Sequence, residues 1–156
     1  MQDESIERIL NTYGDRLYRL CLVMLKNEAD AEDAVQETIL KYLQKHPQWK
    51  DPEHEKAWLL SVATNKCRDM LRFHTRHPQV CIDELKETCS EIRDSTVLEA
   101  LMAVPEKYRL VLVLHYVEGY STAEIGKIIG RTPSAAKMRL QKGRQLLGDI
   151  YRREYL

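Results

Sequence analysis

Ser121-Thr122-Ala123-Glu124-Ile125-Gly126-Lys127-Ile128-Ile129-Gly130-Arg131-Thr132-Pro133-Ser134-Ala135-Ala136-Lys137-Met138-Arg139-Leu140 reads as two helices joined by a tight turn. Ser121 with Glu124 three residues on is a capping box, which opens a short helix over Thr122–Ile129. Gly130 suits the left-handed residue that ends such a helix. Thr132 can cap a second helix and Pro133 can occupy its first position. That helix is predicted to run to about Tyr151. A short helix, a three-residue turn and a longer basic helix make a helix-turn-helix.

At 100° per residue, Ala136, Leu140, Gly143 and Leu147 share one face of the last helix, which must pack inward. Ser134, Ala135, Met138, Gln141, Lys142 and Gln145 share the opposite face, with Lys137 and Arg139 on its flanks. Small residues at the N-terminal end let the backbone approach a major groove, and the cations reach phosphates or base edges. An ordinary helical hairpin with a solvated basic face is the plainer reading. The coincidence of both caps, the glycine and the basic face favours DNA.

Upstream, Pro105 opens a helix with the stripe Tyr108, Val111, Leu112, Leu114 and His115, and a short helix is predicted near Ser95–Ala103. Residues 74–94 are mostly polar and read as a linker. Before it, a helix over about residues 53–73 places Leu59, Leu60, Val62, Ala63, Cys67, Met70 and Leu71 on its apolar side. Ser61, Asn65, Arg68, Asp69 and Arg72 fall on the other side, with Trp58 at the upper edge and Arg76 just beyond. Asn65 carries donor and acceptor groups suited to a base edge, the arginines suit phosphates, and Trp58 could stack on an unpaired base. By helical geometry alone, a core Trp58 and a bonded Asn65–Asp69 pair are the simpler explanations.

Two more helices lie further back. Ile6, Ile9, Leu10, Tyr13, Leu17, Leu20, Cys21 and Met24 form one stripe. Ala31, Ala34, Val35, Thr38, Ile39, Tyr42 and Leu43 form another, with Asp30 as its expected cap. Opposite the second stripe stand Glu32, Asp33, Gln36, Glu37 and Leu40. No strand-like alternation occurs, so the fold class is all-α.

The chain has 156 residues, and its net charge of zero conceals four zones. Residues 1–60 carry 8 Lys and Arg against 12 Asp and Glu, and residues 61–76 carry 4 against 1. Residues 77–100 carry 2 against 6, and residues 101–156 carry 10 against 5. Two basic zones separated by acid fit two contacts with a polyanion. The apolar runs, residues 20–25 and 110–114 among them, are far too short to span a bilayer. The acidic N-terminus does not resemble a signal peptide, and a cytoplasmic location is expected.

Metal and enzyme chemistry find little support. Cys21, Cys67, Cys81 and Cys89 contain no C-x-x-C pair, and Cys21 and Cys67 sit at apolar-periodic positions. His74 and His77 lack a third metal ligand. No phosphate loop or nucleophile elbow occurs, so no catalytic residue, metal or cofactor is expected.

Three blocks occur in order: Asp30-Ala-Glu-Asp33-Ala-Val-Gln36-Glu37, then Trp58-Leu59-Leu-Ser-Val-Ala63-Thr-Asn65-Lys-Cys-Arg-Asp69, then Val104-Pro105 followed by Glu118 to Gly130 and Lys137 to Arg144. Together they resemble the extracytoplasmic-function (ECF) group of the σ70 family of bacterial RNA polymerase σ factors. The resemblance implies two small helical domains joined by a flexible linker. Residues 1–76 would be a σ2-like domain that binds core polymerase and reads the −10 element. Residues 77–94 would be the linker, threaded through polymerase channels. Residues 95–156 would be a σ4-like domain that reads the −35 element.

By the same resemblance, Asp33, Gln36, Glu37 and Leu40 would grip core polymerase. Trp58, Asn65, Arg68, Arg72 and Arg76 would meet the −10 element, and Ser134, Lys137, Met138, Arg139, Lys142 and Arg144 the −35 element. The implied partners are core RNA polymerase, promoter DNA and an anti-σ factor, a membrane-bound one included. A stand-alone helix-turn-helix regulator with a sensing or dimerising N-terminal domain is the alternative. It explains residues 101–156 equally well but leaves the acidic helix and the Asn/Arg helix without a role. The chain also departs from the family pattern. Gly126 and Gly143 stand where Ala is usual, and close helix packing or a softer C-terminal domain would each account for them.

Overall fold

The structure is a computed structural model that describes residues 2–45, 48–73, 87 and 95–156. Arg76, His74, His77, Cys81, Cys89 and the rest of the 77–94 linker other than Glu87 lie outside the described residues. Seven helices and no strand are present among the described residues. None of these helices is long and apolar enough to cross a membrane. The chain divides into two compact units, Met1–Gln79 and Val80–Leu156.

In the first unit α1 (Gln2–Leu25), α2 (Glu28–Lys45) and α3 (Pro52–Phe73) all pack on one another. Ile9, Leu17, Leu20 and Cys21 of α1 meet Ala31, Ala34 and Ile39 of α2 and Leu59, Leu60, Ala63 and Cys67 of α3 in the core. The last turn and a half of α1 is buried on every side, because Leu22, Val23 and Leu25 join Met24 inside. A helix that is apolar all round belongs in an interior. Cys21 and Cys67 are free buried thiols. They interact, and that contact together with burial holds the Cys67 thiol well above its ordinary pKa.

The joint between α1 and α2 corrects one expectation. Asp30 is not the cap: Asn27 Oδ1 accepts from the Asp30 N–H at 2.9 Å and the Asn27 carbonyl accepts from the Ala31 N–H at 2.9 Å. The helix therefore begins at Glu28, three residues after the end of α1. Asp30 falls in the first turn, where a carboxylate suits the positive end of the helix dipole. Lys26, at φ 57°, makes the reversal. Asp51 starts α3 in the same way, its Oδ1 accepting from the His54 N–H at 2.8 Å.

In the second unit α4 (Ser95–Ala103), α5 (Glu106–Tyr116), α6 (Thr122–Ile129) and α7 (Pro133–Tyr155) surround the buried run Leu110, Val111, Leu112, Val113 and Leu114. With Arg109, six consecutive residues of α5 are buried, and α7 packs on each of the other three helices. Arg109, only 3 % exposed, donates to the Val104 carbonyl at 2.5 Å and the Met102 carbonyl at 3.3 Å. It thereby satisfies carbonyls left over at the end of α4. Burial pulls its pKa down to about 10, so it stays charged near neutral pH. Tyr155 donates to Glu99 of α4, and α7 accordingly runs one turn past the predicted end.

Candidate nucleic-acid interface

The outward face of α3 is set by what holds the start of that helix. Glu55, in its first turn, is 4 % exposed. Arg8 donates to both its carboxylate oxygens, at 3.1 and 2.9 Å. Tyr13 donates to Oε1 at 2.9 Å and Tyr42 to Oε2 at 2.7 Å. All three helices thus converge on one carboxylate. The Arg8 hydrogen bonds hold its pKa below the usual glutamate value, against burial. Burial and Glu55 together push the Tyr13 hydroxyl up to about 12.

Trp49 Nε1 donates to the Tyr42 hydroxyl at 3.2 Å, and the two rings stack with centroids 5.8 Å apart. Trp58 meets Tyr42 and Trp49 edge-on, at 6.0 and 5.4 Å, and His54 meets Trp49 edge-on at 5.3 Å. Trp58 is therefore a half-buried member of an aromatic cluster, with part of its surface open. Trp49 was not legible as a partner of Trp58 because it lies in the loop before α3, outside any periodic pattern.

Further along α3, Asn65, Asp69 and Arg72 are exposed and Arg68 is half-buried. Asp69 pairs with Arg72 at 4.0 Å. On α2, Glu32, Asp33, Gln36, Glu37 and Leu40 are all exposed, with Leu40 at 49 %. The two faces adjoin. Glu37 and Lys41 of α2 line a small polar pocket of about 130 Å³ with Val62, Lys66 and Asp69 of α3. Lys41 and Lys66 were not singled out in the sequence, where each looks like an ordinary surface cation.

In the second unit both caps of the helix-turn-helix form. Ser121 Oγ accepts from the Glu124 N–H, and Glu124 Oε1 accepts from the Ser121 N–H, each at 3.2 Å. Gly130 ends α6 at φ 72°, ψ 37°. Thr132 Oγ1 accepts from the Ala135 N–H at 3.1 Å, and Pro133 opens α7. Ala136, Leu140 and Gly143 are buried. Ser134, Lys137, Met138 and Lys142 are exposed, Met138 at 68 %, and Arg139 is half-buried at the flank. Lys137, Arg139 and Lys142 stand on or beside this face, and residues 133–148 carry no acid, so the face is positive.

Arg144 stands apart from these. Its guanidinium donates to the Tyr116 hydroxyl at 2.8 Å. It edges an apolar groove of about 550 Å³ lined by Val97, Leu112, Tyr116, Leu147 and Tyr151.

Residues 9–77 match the family Sigma-70 region 2, and residues 95–147 match Sigma-70, region 4. The chain is 31% identical to RNA polymerase sigma factor SigV of Bacillus subtilis, over 83% of this chain and 81% of that one. It is 27% identical to ECF RNA polymerase sigma factor SigW of the same organism, over 92% and 87%. It is 29% identical to RNA polymerase sigma factor CarQ of Myxococcus xanthus, over 94% and 91%. Among solved structures, the sigma factor RpoE in complex with the anti-sigma factor NepR from Bartonella quintana superposes with a TM-score of 0.72 at 17% identity, covering 97% of this chain and 99% of that one. CnrH in complex with the cytosolic domain of CnrY gives 0.72 at 23%, covering 97% and 90%. These two show likeness of fold. With region 2 and region 4 matched in order by a three-helix bundle and a helix-turn-helix unit, the chain belongs to the ECF group of σ70-family σ factors.

Proposed function

We propose that this σ factor binds core RNA polymerase through the exposed α2 face of Asp33, Gln36, Glu37 and Leu40, and reads promoter DNA at two places. On this reading the first unit serves the −10 element through Trp58, Asn65, Arg68, Arg72 and Arg76. The second serves the −35 element through Ser134, Lys137, Met138, Arg139, Lys142 and Arg144. The observation that carries it is the shared edge of α2 and α3 at Glu37, Lys41, Lys66 and Asp69. Polymerase held on α2 lies directly beside a helix that presents Asn65 and Arg72.

The roles follow from chemistry. Cations along α3 and α7 neutralise phosphates and release counterions, which supplies affinity and its salt dependence. Asn65 has the paired donor and acceptor that a flipped-out base exposes on its edge. Met138 offers an unbranched apolar side chain to a thymine methyl, and Arg139 can bond a guanine in two places. The chain performs no bond-making step itself; it places the polymerase. It acts in the cytoplasm, where polymerase and DNA are. The anti-sigma partners of the two structural neighbours support control of this σ by an anti-σ factor.

The test is transcription in vitro with purified chain, core polymerase and fragmented genomic DNA, mapping transcript starts. Starts confined to a set of related promoters support the reading. A chain that neither co-elutes with core polymerase nor changes its starts removes it, and returns the stand-alone regulator.

A further inference from the structure

Two helix-interior glycines touch neighbouring elements closely. Gly126, buried in the middle of α6, would place a Cβ 2.8 Å from the Arg131 carbonyl oxygen. The same Cβ would lie 3.2 Å from the Thr132 carbonyl carbon and oxygen. The Arg131 N–H donates to the Gly126 carbonyl at 2.8 Å, so the turn is bonded to the residue it rests on. Gly143 of α7 would place a Cβ 3.2 Å from Leu112 Cγ, 3.3 Å from Leu112 Cδ1 and 3.4 Å from the Tyr108 carbonyl oxygen. The other helical glycines differ. A Cβ on Gly148 would come no nearer than 3.4 Å, to the end of the Arg152 side chain, and one on Gly14 would meet only Leu10 at 3.8 Å.

Glycine is a poorer helix former than alanine, so propensity argues against both residues. Close approach is the compensating gain. We infer that Gly126 and Gly143 are positioning residues, which seat α7 on α6 and α5 more closely than alanine allows and so fix which bases its outward side chains reach. The inference rests on the proposed reading of DNA by α7. The contact at Gly126 falls on backbone, which cannot swing aside as a side chain can. It lies at the turn, two to three residues before Ser134. Gly143 is ten residues beyond Pro133, about 15 Å along the axis. The two contacts thus bracket Ser134, Lys137, Met138 and Arg139. Binding groups need placement to within about 0.5 Å, and a Cβ at 2.8 Å forces a displacement of that order at one end of the bracket. The glycines therefore indicate close packing rather than a soft domain.

The experiment uses the full chain with core polymerase and a promoter library randomised in the upstream element and in spacer length. Gly126→Ala and Gly143→Ala are compared with Gly148→Ala, and folding is followed by circular dichroism. The expected result is a folded Gly126→Ala protein whose preference at one or more upstream base pairs falls at least about threefold, or whose best spacer shifts. Gly143→Ala should do the same more weakly, since the Leu112 side chain can yield, and adding Leu112→Ala should restore the original preference. Gly148→Ala should select the original sequences. Folded Gly126→Ala and Gly143→Ala proteins with unchanged preference and spacing overturn the inference. So does failure of both to fold, which makes the glycines a requirement of folding alone. Lys142→Ala, assayed alongside, separates the two levels: if it too leaves DNA affinity unchanged, the reading of DNA by α7 fails, and not only the role of the glycines.

Discussion

Arg8 and Glu55, 47 residues apart in sequence, face each other as a two-point pair, Nη1 to Oε1 at 3.1 Å and Nη2 to Oε2 at 2.9 Å. The pair fastens the outer side of α1 to the first turn of α3, and so fixes the helix that presents Trp58, Asn65 and Arg72. The Arg8 side chain is 51% exposed and that of Glu55 only 5%, so the buried partner has more to lose.

Glu55→Ala should therefore destabilise the first unit by about 2–3 kcal/mol, since it removes a charged acceptor shared by Arg8, Tyr13 and Tyr42. Glu55→Gln should cost less. The folded-state pKa of Glu55 is depressed. Its contribution is therefore complete above the ordinary glutamate pKa of about 4.3 and is lost as pH falls below it. Urea unfolding at neutral pH and again near pH 3 checks this. The gap between wild type and Glu55→Gln should narrow on acidification, and a constant gap contradicts the assignment.

Charge reversal on α2 should separate binding from folding. Asp33 and Glu37 are exposed and lie outside the core. Asp33→Lys with Glu37→Lys should weaken association with core polymerase at least tenfold, about 1.4 kcal/mol, and leave the circular dichroism spectrum unchanged. Affinity that stays within about twofold removes α2 as the grip.

On α3 two substitutions should behave differently. Asn65→Ala should reduce transcription most at promoters that keep the preferred −10 base. Arg72→Ala should weaken all promoters alike and lower the salt slope by about 1. The Arg72–Asp69 pair, 4.0 Å apart and well exposed on both sides, holds little stability and should not mask the effect. Run-off transcription across a salt series reads both quantities. Equal losses on every promoter for both variants would sink the base-reading role of Asn65.

On α7, Arg139→Ala should relax preference at one upstream base pair by about 1–3 kcal/mol. Lys142→Ala should cost affinity uniformly. Arg144→Ala should change the salt slope less than Lys142→Ala, because the Arg144 guanidinium is held on Tyr116 rather than on the outward face. A selection from randomised upstream elements, repeated at two salt concentrations, tests all three. An unchanged logo for Arg139→Ala would move base reading to Ser134, Lys137 or Met138.

The sequence by itself determined the helices and the helix-turn-helix. The reason is local: Ser121 with Glu124, Gly130, and Thr132 with Ala135 bond or turn within three residues, so their partners stand beside them in the text. The apolar stripes likewise named most of the inner faces, because the 3.6-residue period converts spacing directly into direction, but Leu10 and Leu71, each on such a stripe, are 44% and 38% exposed. Where two local signals competed, as with Asn27 and Asp30, the pattern placed the cap three residues late.

Tertiary structure alone decided the rest. Periodicity says that a face is apolar but not which residues of other helices meet it. Nothing near Glu55 in the chain marks it as the buried acceptor of Arg8, Tyr13 and Tyr42, which arrive from 47, 42 and 13 residues away. The Trp49–Tyr42–Trp58 cluster, the shared edge of Glu37 with Lys66 and Asp69, and the hold of Tyr116 on Arg144 arise in the same way. Gly126 and Gly143 show the limit most plainly. A helix-interior glycine looks like a weakness until the backbone of the following turn, at Gly126, or the Leu112 side chain, at Gly143, is found resting where its side chain would be.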